Sequence, residues 1–152
     1  MNAAIRISEA RWPDDCAHIK AVRHEVFVQE QGVAEALEWD GLDAGCRHVL
    51  AWENGAPIAT GRLLPGGQIG RMAVRKRWRG RGIGGKILRA LLAIAAQNPA
   101  QTPWLSAQTH AINFYRRHGF TCVGEEYMEA GIPHRKMRFS TPLPAGAGGG
   151  EV

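Results

Sequence analysis

The stretch RKRWRGRGIGGK, residues 75–86, constrains the fold of this chain most, because it joins a strand pattern to a helix pattern. The preceding residues 68–74 read QIGRMAV and predict a strand. After the glycines, apolar residues recur every four positions over 83–95, which predicts a long amphipathic helix. Glycines at such a junction let the backbone approach an anion at the positive end of a helix. The stretch therefore predicts a strand–loop–helix unit that binds an anionic group.

Two nucleotide motifs overlap in this loop, and neither is complete. The spacing of a P-loop ends at Lys86, but Ile87 stands where a serine or threonine must hold magnesium. The spacing of a dinucleotide fingerprint runs from Gly80 to Gly85, and that motif needs an acid about 20 residues later. The first acid after the loop is Glu125, about 40 residues later. A nucleotide triphosphatase and a dinucleotide-dependent enzyme are both disfavoured, and a loop suited to a pyrophosphate without a metal remains.

The basic residues of the chain are unevenly placed. The net charge is +5, and all 14 carboxylates lie outside residues 54–124, whereas that segment holds 11 lysines and arginines. A basic middle without compensating acid indicates that the segment meets an anion. One alternative is a nucleic-acid-binding module, since Trp78 lies among the arginines. Against it, the arginines crowd one loop and no nucleic-acid-binding motif is recognised.

Length and composition fit one globular domain. The 152 residues are 45% hydrophobic and 22% charged, and no apolar run is long enough to span a membrane. There is no signal-peptide pattern, and the three cysteines lack metal-binding spacing, so we expect reduced thiols, no metal and a cytoplasmic location. We expect one domain over residues 1–140 and a disordered glycine-rich tail over 141–152.

Strand and helix patterns alternate along the chain and predict a mixed α/β fold. Helices are expected over about 13–31, 83–98 and 110–117, the last with Thr109 as its N-cap. The stretch 33–43 fits either a short helix or an ordered loop. Strands are expected at 5–7, 48–52, 58–64, 68–74, 104–107, 121–126 and 133–139. The second, third and fourth of these strands read as an antiparallel meander.

Residues 70–88, GRMAVRKRWRGRGIGGKIL, resemble a signature of the GNAT superfamily of acetyl-CoA-dependent N-acetyltransferases. That signature is a strand, then a glutamine or arginine followed by spaced glycines, then a helix. Arg79, Gly82 and Gly84 occupy its positions here.

Further blocks strengthen the resemblance. Residues 111–124 resemble the later helix-and-strand signature of the family, with Asn113 in place. Residues 23–33 and 129–137 are similar to small bacterial ElaA-like members. The resemblance implies a single GNAT-like domain, whose central mixed, mostly antiparallel sheet has about six to seven strands flanked by helices.

The resemblance also implies that the chain binds acetyl-CoA as a cosubstrate. In this family, the strand before the loop bonds the pantetheine arm, the loop wraps the pyrophosphate, and the later helix adds an asparagine. The residues so implied are Met72, Ala73, Val74, Arg79, Gly80, Arg81, Gly82, Ile83, Gly84, Asn113 and Tyr115. Arg75, Lys76 and Arg77 are further candidates for the 3′-phosphate.

The implied reaction moves the acetyl group to a primary amine of a small molecule or peptide, by direct attack in a ternary complex. Tyr115 resembles the general acid of the family, since a phenol with a pKa of about 10 stays protonated until the thiolate appears. From the local sequence alone, Tyr115 also fits an aromatic residue of the core. The candidates for the general base are Glu129, His134, His48, Glu30 and Asp40. Glu129 and His134 rank first because they lie in a family-like block, although each also fits a structural or solvated role.

The acceptor site is expected near the end of the first helix, at Phe27, Glu30 and Gln31. The acids at positions 35, 38, 40 and 43 fit either a site for a cationic amine or a solvated loop, and we favour the loop slightly. A non-catalytic CoA-binding sensor is a second alternative function. The family allows a homodimer, no membrane partner is expected, and nucleic acid is the less favoured partner.

Overall fold

The computed structural model describes residues 4–140 of the chain. The chain divides between Gln101 and Thr102 into two compact units, which we call the first and the second unit. The tail 141–152, with its predicted disorder and the predicted domain boundary, lies outside the described residues. No helix among residues 4–140 is long and apolar enough to cross a membrane.

The first unit is an antiparallel sheet with helices. Its elements are β1 (Ile5–Ala10), α1 (Cys16–Arg23), α2 (Glu35–Glu38), β2 (Arg47–Glu53), β3 (Ala56–Leu63), β4 (Gln68–Val74) and α3 (Ile83–Ala95). The strands pair in the order β1–β2–β3–β4. Between β2 and β3, Asn54 and Gly55 both have positive φ angles, the backbone of a tight hairpin turn. The predicted meander is confirmed, and the ambiguous stretch 33–43 contains a short helix.

The apolar side of α3 packs against this sheet. Ile87, Leu88 and Leu91 are each no more than 1% exposed, as the four-residue spacing predicts. On α1, Ile19 and Val22 are fully buried. Burial of these five side chains holds both helices on the sheet through the hydrophobic effect.

The helix that contains α1 changes its winding at His24. A π-helical segment, His24–Glu30, continues α1 without a break, and the amide of Gln31 donates to the carbonyl of Val26 at 3.0 Å. The predicted apolar face is kept, because Val26 is buried. The sequence pattern predicted the helix but not the wider winding, which is common at functional sites.

A β-bulge interrupts β4 shortly before the loop. Two residues of β4, Arg71 and Met72, stand opposite Gly61 of β3 alone. Arg71 has a φ of 47°, which is unusual for a residue with a side chain. Gly61 lies against α3, so that a Cβ there would be 2.8 Å from Leu91 Cδ1 and 2.9 Å from Ile87 Cγ2. The bulge was not predicted, and it sets the direction of the last residues of β4.

The second unit is a smaller antiparallel sheet with one helix. Its elements are β5 (Trp104–Gln108), α4 (Ile112–Arg117), β6 (Phe120–Glu129) and β7 (Ile132–Phe139), and β7 pairs with both β5 and β6. Its core contains Leu105, Phe120 and Met137, each no more than 2% exposed. With the strands of both units there are seven, and the prediction of a mixed α/β chain with mostly antiparallel strands is confirmed.

The predicted N-cap of α4 was wrong. A turn of 3-10 helix, Thr109–Ala111, precedes α4, and its last bond runs from the Ile112 amide to the Thr109 carbonyl. The N-cap is Ala111, which makes no side-chain cap. Thr109 is therefore the first residue of the 3-10 turn, and its hydroxyl does not cap α4.

We predict that Gly61→Ala lowers the free energy of unfolding by about 1–3 kcal/mol, because the added methyl group overpacks the contact with α3. Gly70→Ala is the matched control, since nothing lies within 4 Å of a Cβ at Gly70 of the same sheet. Urea denaturation of both variants measures the difference. Equal stability of the two variants would show that β3 and α3 approach less closely than described.

Candidate active site

The loop after β4 turns through two glycines before α3 begins. Gly80 and Gly82 have φ angles of 82° and 76°, in the left-handed region that favours glycine. Nothing lies within 4 Å of a Cβ placed at either residue, so the backbone there faces open space. Gly82 is the N-cap of α3 and has no side chain to bond its first amides. The first helical bond joins the Lys86 amide to the Gly82 carbonyl at 3.2 Å, which leaves the amides of 83–85 without a partner inside the helix.

All three guanidinium nitrogens of Arg79 donate to oxygens of the first unit. Nε donates to the carbonyl of Val74 at 2.8 Å, and Nη1 and Nη2 donate to the Glu30 carboxylate at 2.6 and 2.7 Å. Hydrogen bonds from Arg79 hold the pKa of Glu30 below its usual range, which makes Glu30 a weak base. A residue predicted for the cofactor and one predicted for the acceptor thus form one ion pair, which ties the loop to the π-helical segment.

The basic segment 54–124 is partly neutralised by carboxylates from earlier in the chain. The ion pairs are Arg62 with Asp40 and Asp43, Arg71 with Glu38 and Asp40, Arg75 with Glu25, Arg79 with Glu30, and Arg81 with Glu53. The sequence indicated that no acid compensates the positive charge of this segment. That interpretation was wrong, because the fold brings carboxylates from earlier in the chain into contact with its arginines. Lys76, Arg77 and Lys86 are exposed, and no ion pair among residues 4–140 involves them.

A buried network of charges lies beside the bulge, and we call it the arginine–carboxylate network. Its members are Arg23, Arg62, Arg71, Glu38, Asp40 and Asp43. Arg23 is 1% exposed, and its Nε and Nη1 lie 2.7 Å from Glu38 and 2.6 Å from Asp43. Arg62 donates to Asp43 at 2.8 Å and to Asp40, and Arg71 forms ion pairs with Glu38 and Asp40 at 3.2 Å each.

The network decides the protonation of its acids. Hydrogen bonds from Arg62 hold the pKa of Asp40 well below its usual range. Burial alone would raise the pKa of Asp43, but the bonds from Arg23 and Arg62 outweigh it and the pKa is lowered. Burial raises the pKa of Glu38, in spite of the neighbouring arginines.

The network corrects the two interpretations of the acids at 35–43. Glu38 and Asp43 are 2% and 6% exposed, so they are neither a solvated loop nor ligands for an incoming amine. Asp40 is bound to two arginines and is therefore also a weak choice as base. His48 is buried, its Nε2 lies 2.9 Å from the Asp43 carbonyl, and burial lowers its pKa. Glu35 and Asp40 are exposed residues, although only 25% of the Asp40 side chain is accessible.

The other predicted residues of the first unit line β4 and the π-helical segment. Ala73 is buried in a cluster with Val22 and Val26, and Phe27 packs against that cluster. Phe27 is therefore partly a core residue. Met72, Val74 and Gln31 are half-buried, Arg81 is exposed, and Ile83 is buried.

In the second unit, α4 carries two predicted residues. Tyr115 lies edge-on to Phe114 and Phe120, with ring centroids 5.0 and 6.0 Å away. Burial raises the pKa of Tyr115 to about 12, so its phenol holds its proton. Asn113 is exposed on the same helix. Both predicted roles of Tyr115, as a packed aromatic residue and as an acid, are compatible with this position.

The two first-ranked base candidates come together on the sheet of the second unit. The Nε2 atom of His134 lies 4.0 Å from Glu129 Oε2, and Ser106 Oγ lies 3.2 Å from Glu129 Oε1. Ser106 Oγ also bonds the hydroxyl of Tyr127. We call these four residues the Ser106–His134 cluster. His134 is buried and Glu129 exposed.

The order of contacts shows what this cluster can do. The serine contacts the carboxylate, not the imidazole, so this is not the arrangement that activates a serine nucleophile. His134 Nδ1 lies 2.7 Å from the Ile132 carbonyl, which only accepts, so Nδ1 carries the hydrogen. In the neutral ring the lone pair is then on Nε2, toward Glu129. The hydrogen bonds of Ser106 to Tyr127 and Glu129 are the contacts through which this cluster can pass on a proton.

Sequence reasoning missed Ser106 and Tyr127 and the arginines of the network. Tyr127 and Glu129 alternate on β6, which is a signal for a shared face. Ser106 is 21 residues from Tyr127, and only the pairing of β5 and β6 with β7 brings them together. Such cross-strand neighbours have no local pattern.

Among the described residues, no group of three or more histidines, cysteines and carboxylates could hold a metal ion. The three cysteines, Cys16, Cys46 and Cys122, are free and half-buried. Cys122 lies on β6, the strand that also carries Tyr127 and Glu129.

Residues 13–141 match the acetyltransferase (GNAT) domain family. The chain belongs to the GNAT family. A relative from Bacillus subtilis, named uncharacterized N-acetyltransferase YjcF, is 40% identical over 120 residues, covering 76% of this chain and 86% of the relative. The family resemblance seen in the sequence is confirmed.

Solved structures agree with this assignment. Escherichia coli ElaA has a TM-score of 0.81 at 29% identity, covering 90% of this chain and 100% of that one. An acyl-CoA N-acyltransferase from Pseudomonas aeruginosa has a TM-score of 0.77 at 33% identity, covering 91% and 100%. This GNAT protein has the GNAT fold and is an acyltransferase.

We predict that Arg23→Met destabilises this acetyltransferase by about 3–5 kcal/mol, because it leaves buried carboxylates short of a partner. Arg47→Met is the matched control, since Arg47 pairs with Glu9 at an exposed site and such pairs contribute about 1 kcal/mol or less. Thermal and urea unfolding compare the two. A loss for Arg23→Met no larger than that for Arg47→Met would contradict the buried network.

Proposed function

We propose that this acyltransferase moves the acetyl group of acetyl-CoA to a primary amine of a small molecule or peptide, by direct attack in a ternary complex. The observation that carries the proposal is the loop of Gly80 and Gly82, after which the first amides of α3 have no partner inside the helix. Family membership supplies the reaction class. The three free cysteines support a reducing, cytoplasmic setting.

The loop fits a pyrophosphate in charge and in shape. The amides of 83–85 and the positive end of the 13-residue helix α3 favour an anion. Lys76, Arg77 and Lys86 are exposed cations nearby in sequence, and they are our candidates for the phosphates of CoA. Arg75 pairs with Glu25 at 3.0 Å, so it is a weaker candidate for the 3′-phosphate than sequence reasoning allowed. The side chain of Arg79 is bound to Glu30 and so holds the loop in place. We therefore propose that Arg79 contacts the pyrophosphate through its backbone.

The bulge in β4 supports a role for Met72–Val74 toward the pantetheine arm. A bulge bends a strand and changes the direction in which its following residues point, while the register still pairs Ala73 with Thr60 and Val74 with Ala59. One of the amides of Met72–Val74 is our candidate for the donor to the carbonyl oxygen as charge develops there. Asn113 is the proposed contact from α4.

Acetyl-CoA supplies an acetyl group activated as a thioester, and the chain supplies proton transfer. Tyr115 donates its phenolic proton to the departing sulfur, and its raised pKa of about 12 keeps it protonated until then. Glu129 takes the proton that the ammonium group of the acceptor must lose. The carbon–nitrogen bond forms and the carbon–sulfur bond breaks. The nitrogen then loses its remaining extra proton to the solvent, and the solvent returns a proton to Tyr115.

The acceptor site is proposed at Phe27, Glu30 and Gln31, with Glu30 acting through Arg79. Binding of nucleic acid is the alternative function. The ion pairs of the basic segment reduce the free positive charge that such binding needs.

We predict that calorimetry finds binding of acetyl-CoA, and not of ATP or NAD, at both low and high salt. Gly82→Ala lowers the affinity at least about tenfold, or 1.4 kcal/mol, because the methyl group occupies the path of the phosphates. Gly124→Ala is the control for strain, since Gly124 has a φ of 80° and equally open surroundings. Absence of acetyl-CoA binding, with salt-sensitive binding of RNA or DNA, would replace this proposal by the alternative.

A further inference from the structure

We propose that Tyr127 and Ser106 form a relay that carries the proton of the acceptor amine to Glu129. The inference rests on the proposed function and assigns two residues to it that the sequence did not point to. It follows from the register of the second unit and from the direction of each hydrogen bond.

The strand register places the relay on one face of the sheet. Tyr127 pairs with His134 across β6 and β7, and Glu129 lies two residues along from Tyr127 on the same face. Ser106 pairs with Lys136 across β5 and β7, and Lys136 is two residues along from His134. All these side chains therefore project from the same face.

The direction of the hydrogen bonds follows from what each group can donate. An ionised carboxylate only accepts, so Ser106 donates its one hydrogen to Glu129 Oε1 at 3.2 Å. In its bond to Tyr127, Ser106 must then accept, and Tyr127 donates. The Tyr127 oxygen keeps free lone pairs, and its residue is 37% exposed, so an incoming ammonium group can donate to it.

The transfer is balanced over these atoms. The ammonium nitrogen gives a proton to the Tyr127 oxygen, the Tyr127 hydrogen moves to Ser106 Oγ, and the Ser106 hydrogen moves to Glu129 Oε1. Both hydroxyls end neutral, Glu129 ends protonated, and the amine ends neutral with its lone pair ready to attack. Glu129 is exposed and can release the proton to water.

His134 lies beside Glu129, and its own contacts fix its orientation. Its Nδ1 hydrogen bonds the Ile132 carbonyl, so Nε2 is the atom that faces Glu129 Oε2 at 4.0 Å. The stacked ring of Tyr127, 6.1 Å away and inclined by 21°, keeps the imidazole in this orientation. At 4.0 Å the two groups are too far apart for a hydrogen bond, so His134 borders the relay and is not a member of it.

The other charged groups on this face come from β7. Lys136 Nζ lies 4.5 Å from the centre of the Trp104 ring, which holds the ammonium group over the indole. Arg138 pairs with Trp104 in the register, further from Tyr127 along the strand. By the strand register, the titratable groups on this face are Glu129 of β6 and His134 and Lys136 of β7; His110 bonds Gln108, which pairs with His134 across β5 and β7.

The test measures kcat/KM for an amine acceptor, such as a lysine peptide or a polyamine, as a function of pH. We expect Tyr127→Phe and Ser106→Ala to reduce the rate at neutral pH by about 10²-fold, the usual contribution of positioned acid–base groups. The loss should shrink as the pH nears about 10, where an amine is already neutral. Ser106→Thr keeps the hydroxyl and should restore most of the rate.

Two comparisons separate a relay from a purely structural role. Met128→Ala, on the opposite face of β6, should leave both rate and pH profile unchanged. Tyr115→Phe should show a loss that persists at high pH, because the sulfur still needs its proton. Melting temperatures of all variants identify any that lose their fold.

Three results would overturn the relay. A loss in Tyr127→Phe or Ser106→Ala that is the same at every pH would show a structural role. Rates like that of wild type would show that the amine loses its proton elsewhere. Acetyl-CoA binding without turnover of any amine by the wild-type protein would instead remove the proposed function, and the relay with it.

Discussion

The arginine–carboxylate network is the interaction on which the first unit depends. Arg23 comes from α1, Arg62 from β3 and Arg71 from the bulge of β4, and all three bind carboxylates of the segment between α1 and β2. The network fixes that segment on the sheet and holds Arg71 in its left-handed conformation. Removal of one buried charge lowers the stability strongly, because it leaves its partner buried and unpaired. The intact set of charges nevertheless adds little net stability, because burying the charges costs about as much as their attraction contributes.

Other ion pairs, outside this network, lie around the loop that we propose to bind an anion. Acids from residues 25–53 neutralise the arginines beneath and beside the loop, and they leave the exposed Lys76, Arg77 and Lys86 unpaired among the described ion pairs. Positive charge is thereby concentrated where the helix dipole and the glycine amides already favour an anion. In the second unit, the packed phenol of Tyr115 and the exposed carboxylate of Glu129 are the groups that we propose as acid and base.

The sequence was sufficient for the strand–loop–helix unit, because glycine spacing and a four-residue apolar repeat are local signals. It was also sufficient for the strands of both units, apart from their ends. It could not predict the pairing of Arg62 with Asp40 and Asp43, which depends on tertiary contacts over about 20 residues. Nor could it predict the bulge at Arg71 or the meeting of Ser106 with Tyr127. The Thr109 cap failed because a 3-10 turn and a direct cap have the same sequence signal.

Hydrogen exchange of the loop amides, with and without acetyl-CoA, tests the central claim most directly. If backbone amides hold the pyrophosphate, exchange at residues 80–85 should slow on binding, while exchange in the exposed turn at Gly131 should not change. Slowed exchange confined to these residues would support the assignment of the loop. Acetyl-CoA that binds by calorimetry but leaves the exchange at 80–85 unchanged would contradict it.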